Sequence, residues 1–269
     1  MSASNYYTKE TDSSNYASGY EIFLGRTNFR ERIYDLFEKT LPEGLKKVPG
    51  IRVLDIGCGN GKMTRRYLET FKDVDLELHL LEPSEEALES ARAILSTCVK
   101  KVVAINKTAD DYFLTPTEAK YDLIIASYVF YHISPAIVPN IIKSLSKEGT
   151  FCVMMGAKTH PLRTLPELRS ISKHGDSETL KEMLSLLKDR GAISISLVNT
   201  STDLDLRDLW NNGHFSEEGK RFFSFIYNTE VDDFSGDSIE ALNFLLKEIY
   251  SNHNGVVHPT HEIIWIKKS

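Results

Sequence analysis

Seven short apolar runs, at 53–56, 76–84, 102–105, 121–127, 151–156, 193–198 and 261–266, punctuate the chain. Most are unbroken rather than alternating, as expected of strands covered on both faces, and branched residues such as Val53, Ile56, Val102 and Ile124 recur in them. Between the runs apolar residues return at helical spacing. Tyr20, Ile22, Phe23, Ile33, Leu36, Phe37 and Leu41 predict helical cover over Gly19–Leu41, closed by Pro42 and Gly44. Further helices are predicted over Met63–Phe71, Glu85–Leu95 and Pro135–Leu145, and from Ser177 through Leu187, with Asp176 or Ser177 as its cap and Gly191 as its stop. Three helix-like segments then precede the last run, around Leu206–Trp210, Glu217–Tyr227 and Ser238–Tyr250. Strands alternating with helices predict an α/β, doubly wound sheet.

The first strand runs straight into Asp55-Ile56-Gly57-Cys58-Gly59-Asn60-Gly61. Glycine accepts positive φ and lacks the Cβ that would hold a ligand off, so Gly57, Cys58, Gly59 and Asn60 are expected to form a cradle. The dinucleotide spacing G-x-G-x-x-G would put a pyrophosphate on a helix N-terminus. Here the third glycine comes one residue early and Asp55 stands two before the first. That carboxylate repels phosphate and suits a ligand bearing an ammonium and a sulfonium. The second strand ends at Glu82-Pro83-Ser84, with Glu82 25 positions after Gly57, where open α/β sheets place a carboxylate for both ribose hydroxyls.

After the third strand, Asn106 to Tyr112 form a polar loop. The fourth strand leads into Ser127-Tyr128 and the pair Tyr131-His132, a cluster expected at the carboxyl end of the sheet, where such sheets bind ligands. The polar N-terminus to Ser18 carries Tyr6, Tyr7 and Tyr16, read either as a flap over bound ligand or as surface packing.

Composition narrows the partners. The 269 residues are 41% hydrophobic, enough for one large core, and a net charge of −6 without a basic run argues against nucleic acid. Cys58, Cys98 and Cys152 lie far apart, with no C-x-x-C pair. They read as reduced thiols, and no segment reaches the ~20 apolar residues of a membrane span. The expectation is a cytoplasmic monomer, with a dimer as the alternative, no membrane and no metal.

Asp-x-Gly-x-Gly-x-Gly after an apolar strand resembles the first motif of class I methyltransferases, and Asp55 to Gly61 match it at every defined position. The resemblance implies S-adenosyl-L-methionine as cofactor, S-adenosyl-L-homocysteine as product, and a seven-stranded Rossmann-like sheet with the last strand antiparallel. It also implies an adenine contact in the third-strand loop, for which Thr108, Ala109 and Asp110 are candidates. The order of features resembles the histamine N-methyltransferase type: Tyr20–Leu24 ahead of the helix ending at Leu41-Pro42, Glu82-Pro83-Ser84, Tyr131-His132 and a terminal apolar strand. The positions that grip substrate in that family hold Asn28 or Phe29, Tyr128, and Pro259 or His261 here. The substrate set is not retained, so histamine is not the expected acceptor. The loop Asn-Pro-Pro-aromatic of adenine and glutamine amino methyltransferases is absent. The organisation expected is 1–47 tail and helical cover, 48–202 cofactor core, 203–256 helical substrate lid, and 257–269 last strand, in one compact unit.

In-line methyl transfer needs alignment and exclusion of water more than a nucleophilic side chain. A neutral base assists if the acceptor is a protonated amine or a phenol, and His132 and His261 are the candidates, with His258 a third. Tyr20, Asn28, Tyr128, Tyr131, His132, Trp210 and His261 are the candidate substrate pocket. Trp210, Phe222, Phe223 and Tyr227 suit cation–π contact with an amine, although an aromatic stripe at helical spacing is more often core. The leading reading is methylation of a small molecule at an amine nitrogen. The alternatives are O-methylation of a phenol or carboxylate, a protein methyltransferase, and a non-catalytic adenosine-nucleotide or NAD-binding protein.

Overall fold

Unbroken apolar runs pair on both edges, and the computed structural model builds seven of them into one sheet. It describes residues 13–115, 117–157, 161–163, 177–189, 191, 193–227 and 229–268. Tyr6, Tyr7 and the cap candidate Asp176 lie outside the described residues. The strands of the sheet are β1 (Ile51–Ile56), β2 (Leu76–Leu81), β3 (Lys101–Ile105), β4 (Tyr121–Ser127), β5 (Leu145–Gly156), β6 (Ile193–Ser201) and β11 (Thr260–Lys268). Their order is β3-β2-β1-β4-β5-β11-β6, with one antiparallel strand in an otherwise parallel array, as the resemblance to class I methyltransferases implies. β1 pairs in parallel with β2 on one side and β4 on the other. Strand order therefore reverses between β1 and β4, and a crevice opens at their carboxyl ends.

The helices are α1 (Ser13–Gly25), α2 (Phe29–Thr40), α3 (Lys62–Leu68), α4 (Glu85–Leu95), α5 (Ala109–Tyr112), α6 (Val138–Lys143), α7 (Ser177–Asp189), α8 (Glu217–Tyr227) and α9 (Gly236–His253). Between β6 and β11 lie the short strands β7 (Leu204–Asp205), β8 (Trp210–Asn211), β9 (His214–Phe215) and β10 (Val256–Val257).

Two compact units emerge. One comprises Ile33–Met155, Asp176–Asn199 and Glu262–Ser269. Its core sets Leu54, Ile56, Ile124, Phe151, Ile264 and Ile266 of the sheet against Leu180 and Leu184 of α7. At ~1.5–3 kcal/mol for each such side chain removed from water, this packing makes the strand ends a stiff platform. The other comprises Met1–Arg32, Gly156–Gly175 and Thr200–His261, with a core of Leu204, Leu206, Trp210, Phe222, Phe223 and Leu246.

Two expected helices are corrected. The cover over Gly19–Leu41 is two helices rather than one, because the chain breaks after Gly25. Thr27 bridges to Leu204, and its Oγ1 accepts the Phe29 amide at 3.2 Å, starting α2. Leu206–Trp210 is not helical either: it turns into the hairpin β8–β9. Asn212 and Gly213 both have positive φ, 46° and 93°, as a two-residue hairpin turn of the I′ kind requires.

Candidate functional site

The three glycines after β1 all lie in the left-handed region, at φ 67°, 52° and 77° for Gly57, Gly59 and Gly61, yet they serve different ends. A Cβ on Gly57 would stand 2.3 Å from Val129 Cγ2, and one on Gly61 2.9 Å from the Cα of Ala91 in α4. These two let the turn sit against β4 and α4. A Cβ on Gly59 would meet nothing within 4 Å, so its main chain is the one open to a ligand.

Two carboxylates flank the turn, both buried. Asp55 Oδ2 accepts the Thr64 hydroxyl of α3 at 2.5 Å. Burial raises its carboxyl to about 7; the Thr64 bond opposes the rise, and the Glu82 charge adds to it. Glu82 lies just beyond β2. Its Oε2 accepts the Gly59 amide at 3.0 Å and its Oε1 the Ser84 amide at 3.0 Å. A carboxylate has about four lone-pair sites, so two remain. Pro83 is fixed with it, since Asn106 Nδ2 donates to the carbonyls of Glu82 and Pro83 at 3.1 and 3.0 Å. Burial and the charges of Asp55 and Glu82 push the Cys58 thiol up, so it stays protonated. Asn60 Oδ1 accepts the Lys62 amide at 3.2 Å, at the entry to α3.

In the third-strand loop, Thr108 caps α5: its Oγ1 accepts the Asp111 amide at 3.1 Å and donates to Asp111 Oδ2 at 2.7 Å. Ala109 is buried. Asp110 Oδ1 accepts the Ser134 amide at 3.1 Å, and burial raises its carboxyl above the usual range. At the end of β4, Ser127 Oγ and Tyr67 OH lie 2.9 Å apart. Tyr128 adopts φ 56°, a conformation that costs a side-chain-bearing residue ~1–2 kcal/mol, while its amide donates to Met154 O at 2.9 Å. Tyr131 and His132 follow in a short 3₁₀ turn, where burial holds the His132 imidazole below its usual pKa and therefore neutral.

These residues share one unit; Tyr20, Asn28, Trp210 and His261 belong to the other. His261 is buried, its Nε2 3.0 Å from Thr202 Oγ1 and its ring 5.3 Å from that of Phe29. Trp210 is in the apolar core, donating through Nε1 to Asn243 Oδ1 at 2.7 Å. Phe222, Phe223 and Tyr227 are core residues there as well. Tyr20 stacks near Phe225, with the Arg30 guanidinium 5.9 Å over its ring. Asn28 exchanges two hydrogen bonds with Asp203 and lines a cavity of about 690 Å³ shared with Arg26, Glu31 and Glu218.

Sequence reasoning missed Thr64, Tyr67 and Asn106, which hold the candidates in place. Each lies on a neighbouring element, and only its position nine or more residues from its partner, close in space, reveals it. Among the described residues no group of three or more His, Cys, Asp or Glu is placed to hold a metal ion, and no helix is long and apolar enough to cross a membrane.

A family model described as a methyltransferase domain matches residues 27–232. Histamine N-methyltransferase of Danio rerio is 24% identical over 264 residues, covering 89% of this chain and 88% of its own. Two other curated relatives are matched over only 51% and 41% of their own lengths; the second is ribosomal RNA small subunit methyltransferase C of Shewanella sediminis, 32% identical over 54% of this chain. Among solved structures, the YcgJ protein of Bacillus subtilis aligns at TM-score 0.55 and 17% identity, over 88% of this chain and 98% of its own. The plantazolicin methyltransferase BpumL, solved with a substrate analogue and SAH, aligns at TM-score 0.51 and 16% identity, over 99% and 95%. At these identities the two structures speak for the fold.

Proposed function

This chain belongs to the methyltransferase domain family, and we propose that it transfers a methyl group from S-adenosyl-L-methionine to a small molecule at an amine nitrogen. The observation that carries the donor is the pairing of an open main chain at Gly59 with two buried carboxylates, Asp55 and Glu82, neither of them bonded to a cation among the described residues. An uncompensated anionic collar is costly to keep buried, and a ligand bearing positive charge offsets that cost. A diphosphate would add to it.

When bound, the donor supplies a methyl on an electron-poor sulfonium. The rest falls to the chain. Glu82 offers its two remaining lone pairs to the ribose hydroxyls, with Pro83 and Asn106 fixing its height. Gly57, Cys58, Gly59 and Asn60 give the donor's amino-acid part a bare backbone, and Asp55 faces its ammonium through the turn. Of the three adenine candidates Asp110 fits best, because the Thr108 hydroxyl is committed to capping α5 and Ala109 has no polar side chain. Ser127 and Tyr128 border the same crevice. His132, neutral near working pH, takes the proton from an ammonium acceptor so that a lone pair is available for transfer.

Calorimetry with S-adenosylmethionine, S-adenosylhomocysteine and NAD tests the donor, and binding of NAD alone would overturn it. A labelled-methyl screen over biogenic amines, phenols, short acids and ribosomal RNA tests the acceptor. Label entering the amines supports this reading, and label in RNA alone would sink it.

A further inference from the structure

A polar chain runs through the otherwise apolar core beneath α5. His79 interrupts the run Leu76–Leu81, with its Nε2 2.8 Å from Glu77 Oε1 and its Nδ1 3.0 Å from Tyr121 OH. Tyr121 OH lies in turn 2.7 Å from Tyr112 OH, the last residue of α5. His79 and Tyr121 are buried, and Glu77 is anchored at the far end by Lys101 at 2.8 Å and Arg52 at 3.3 Å. Those partners hold the Glu77 carboxyl down to about 2, so it is ionised and His79 Nε2 donates to it. His79 Nδ1 shares its hydrogen bond with the Tyr121 hydroxyl, which shares another with the Tyr112 hydroxyl, so the four side chains form one unbroken chain.

Polar groups in a core cost free energy unless fully satisfied, and a satisfied network fixes geometry more than apolar packing does. α5 needs such fixing, because four residues are too few for a helix to hold its own orientation. Its amino end is tied by the Asp110–Ser134 bond and its carboxyl end by Tyr112, with Asn140 Nδ2 holding the Phe113 carbonyl just beyond at 2.9 Å. We propose that the chain Glu77–His79–Tyr121–Tyr112 is a positioning device that sets the Asp110 carboxylate for the amino group of the donor's adenine. Tyr112 thereby governs selectivity for that base without touching it. The inference rests on the donor-site reading above.

Calorimetry on the full chain compares S-adenosylhomocysteine with S-inosylhomocysteine, in which oxygen replaces the adenine amino group. The native protein is expected to prefer the adenine ligand about tenfold, because the inosine oxygen leaves the half-buried Asp110 acceptor unpaired. Tyr112→Phe weakens the adenine ligand about five- to tenfold, in line with one hydrogen bond, and leaves the inosine ligand within about twofold. The preference therefore collapses. Tyr121→Phe does the same, and the double variant is no worse than either alone, since both cut one chain. A thermal melt accompanies each variant: a merely structural role lowers the melting temperature and weakens both ligands equally, leaving the ratio intact. An unchanged ratio in Tyr112→Phe and Tyr121→Phe overturns the positioning role alone. Failure of the native protein to bind either ligand overturns the donor reading and this inference with it.

Discussion

Asp55 gives the sharpest quantitative handle on the site. Burial is the main cause that lifts its carboxyl from 3.8 to about 7, against the Thr64 hydrogen bond and with help from Glu82. At ~1.36 kcal/mol per pKa unit, ionising it in the free protein costs about 4 kcal/mol. The folded pKa is raised, so the folded state keeps a proton that the unfolded chain has shed. This group's contribution to stability is therefore present below about pH 4, is lost as pH rises toward 7, and is flat above. A cationic donor reverses the preference by stabilising the carboxylate, so binding below pH 7 expels the proton. Donor affinity is then expected to weaken about tenfold per pH unit below 7, roughly a hundredfold by pH 5, and to level off above pH 8. Titration calorimetry with S-adenosylhomocysteine in two buffers of different ionisation enthalpy reads this directly, with close to one proton released at pH 6 and almost none at pH 8.5. Asp55→Asn flattens the profile and also subtracts any titration belonging to the ligand. Thr64→Val removes the bond that lowers the pKa, so the break moves to higher pH. An affinity independent of pH in the native protein, or an identical slope in the Asn variant, refutes the reasoning.

Two further substitutions probe the turn. Glu82→Ala removes the acceptor of the Gly59 and Ser84 amides and, in the proposed donor pose, of the ribose hydroxyls, so donor affinity is expected to fall by ~1–3 kcal/mol; unchanged binding in calorimetry counts against the assigned site. Gly57→Ala places a methyl 2.3 Å from Val129 Cγ2 at a φ of 67°. Strain and overlap together cost ~2–4 kcal/mol, visible as a lower melting temperature and lost donor binding, whereas a native-like melt would show that the turn relaxes freely.

Local physics made much of this legible in one dimension. Unbroken branched runs announced the strands, and Glu85–Leu95 and Glu217–Tyr227 carried enough amphipathic spacing to be read to the residue. Asp55, the glycines and Glu82 were visible because their chemistry is set by positions along one strand and the turn after it. The two misread helices had local signals that were outweighed: Gly25 with Thr27-Asn28 at one break, and Asn212-Gly213, a strong hairpin pair, at the other. What the chain could not disclose was pairing across elements. Whether Gly59 or Gly57 is open depends on where Val129 of the β4 edge comes to rest. That Asp55 titrates near 7 depends on its depth and on Thr64, and the tether of α5 depends on two phenols and an imidazole brought together from separate strands and helices. Spacing along a strand or helix is fixed by bond geometry and is written in the order of residues; depth, desolvation and contact between distant segments exist only once the sheet has closed.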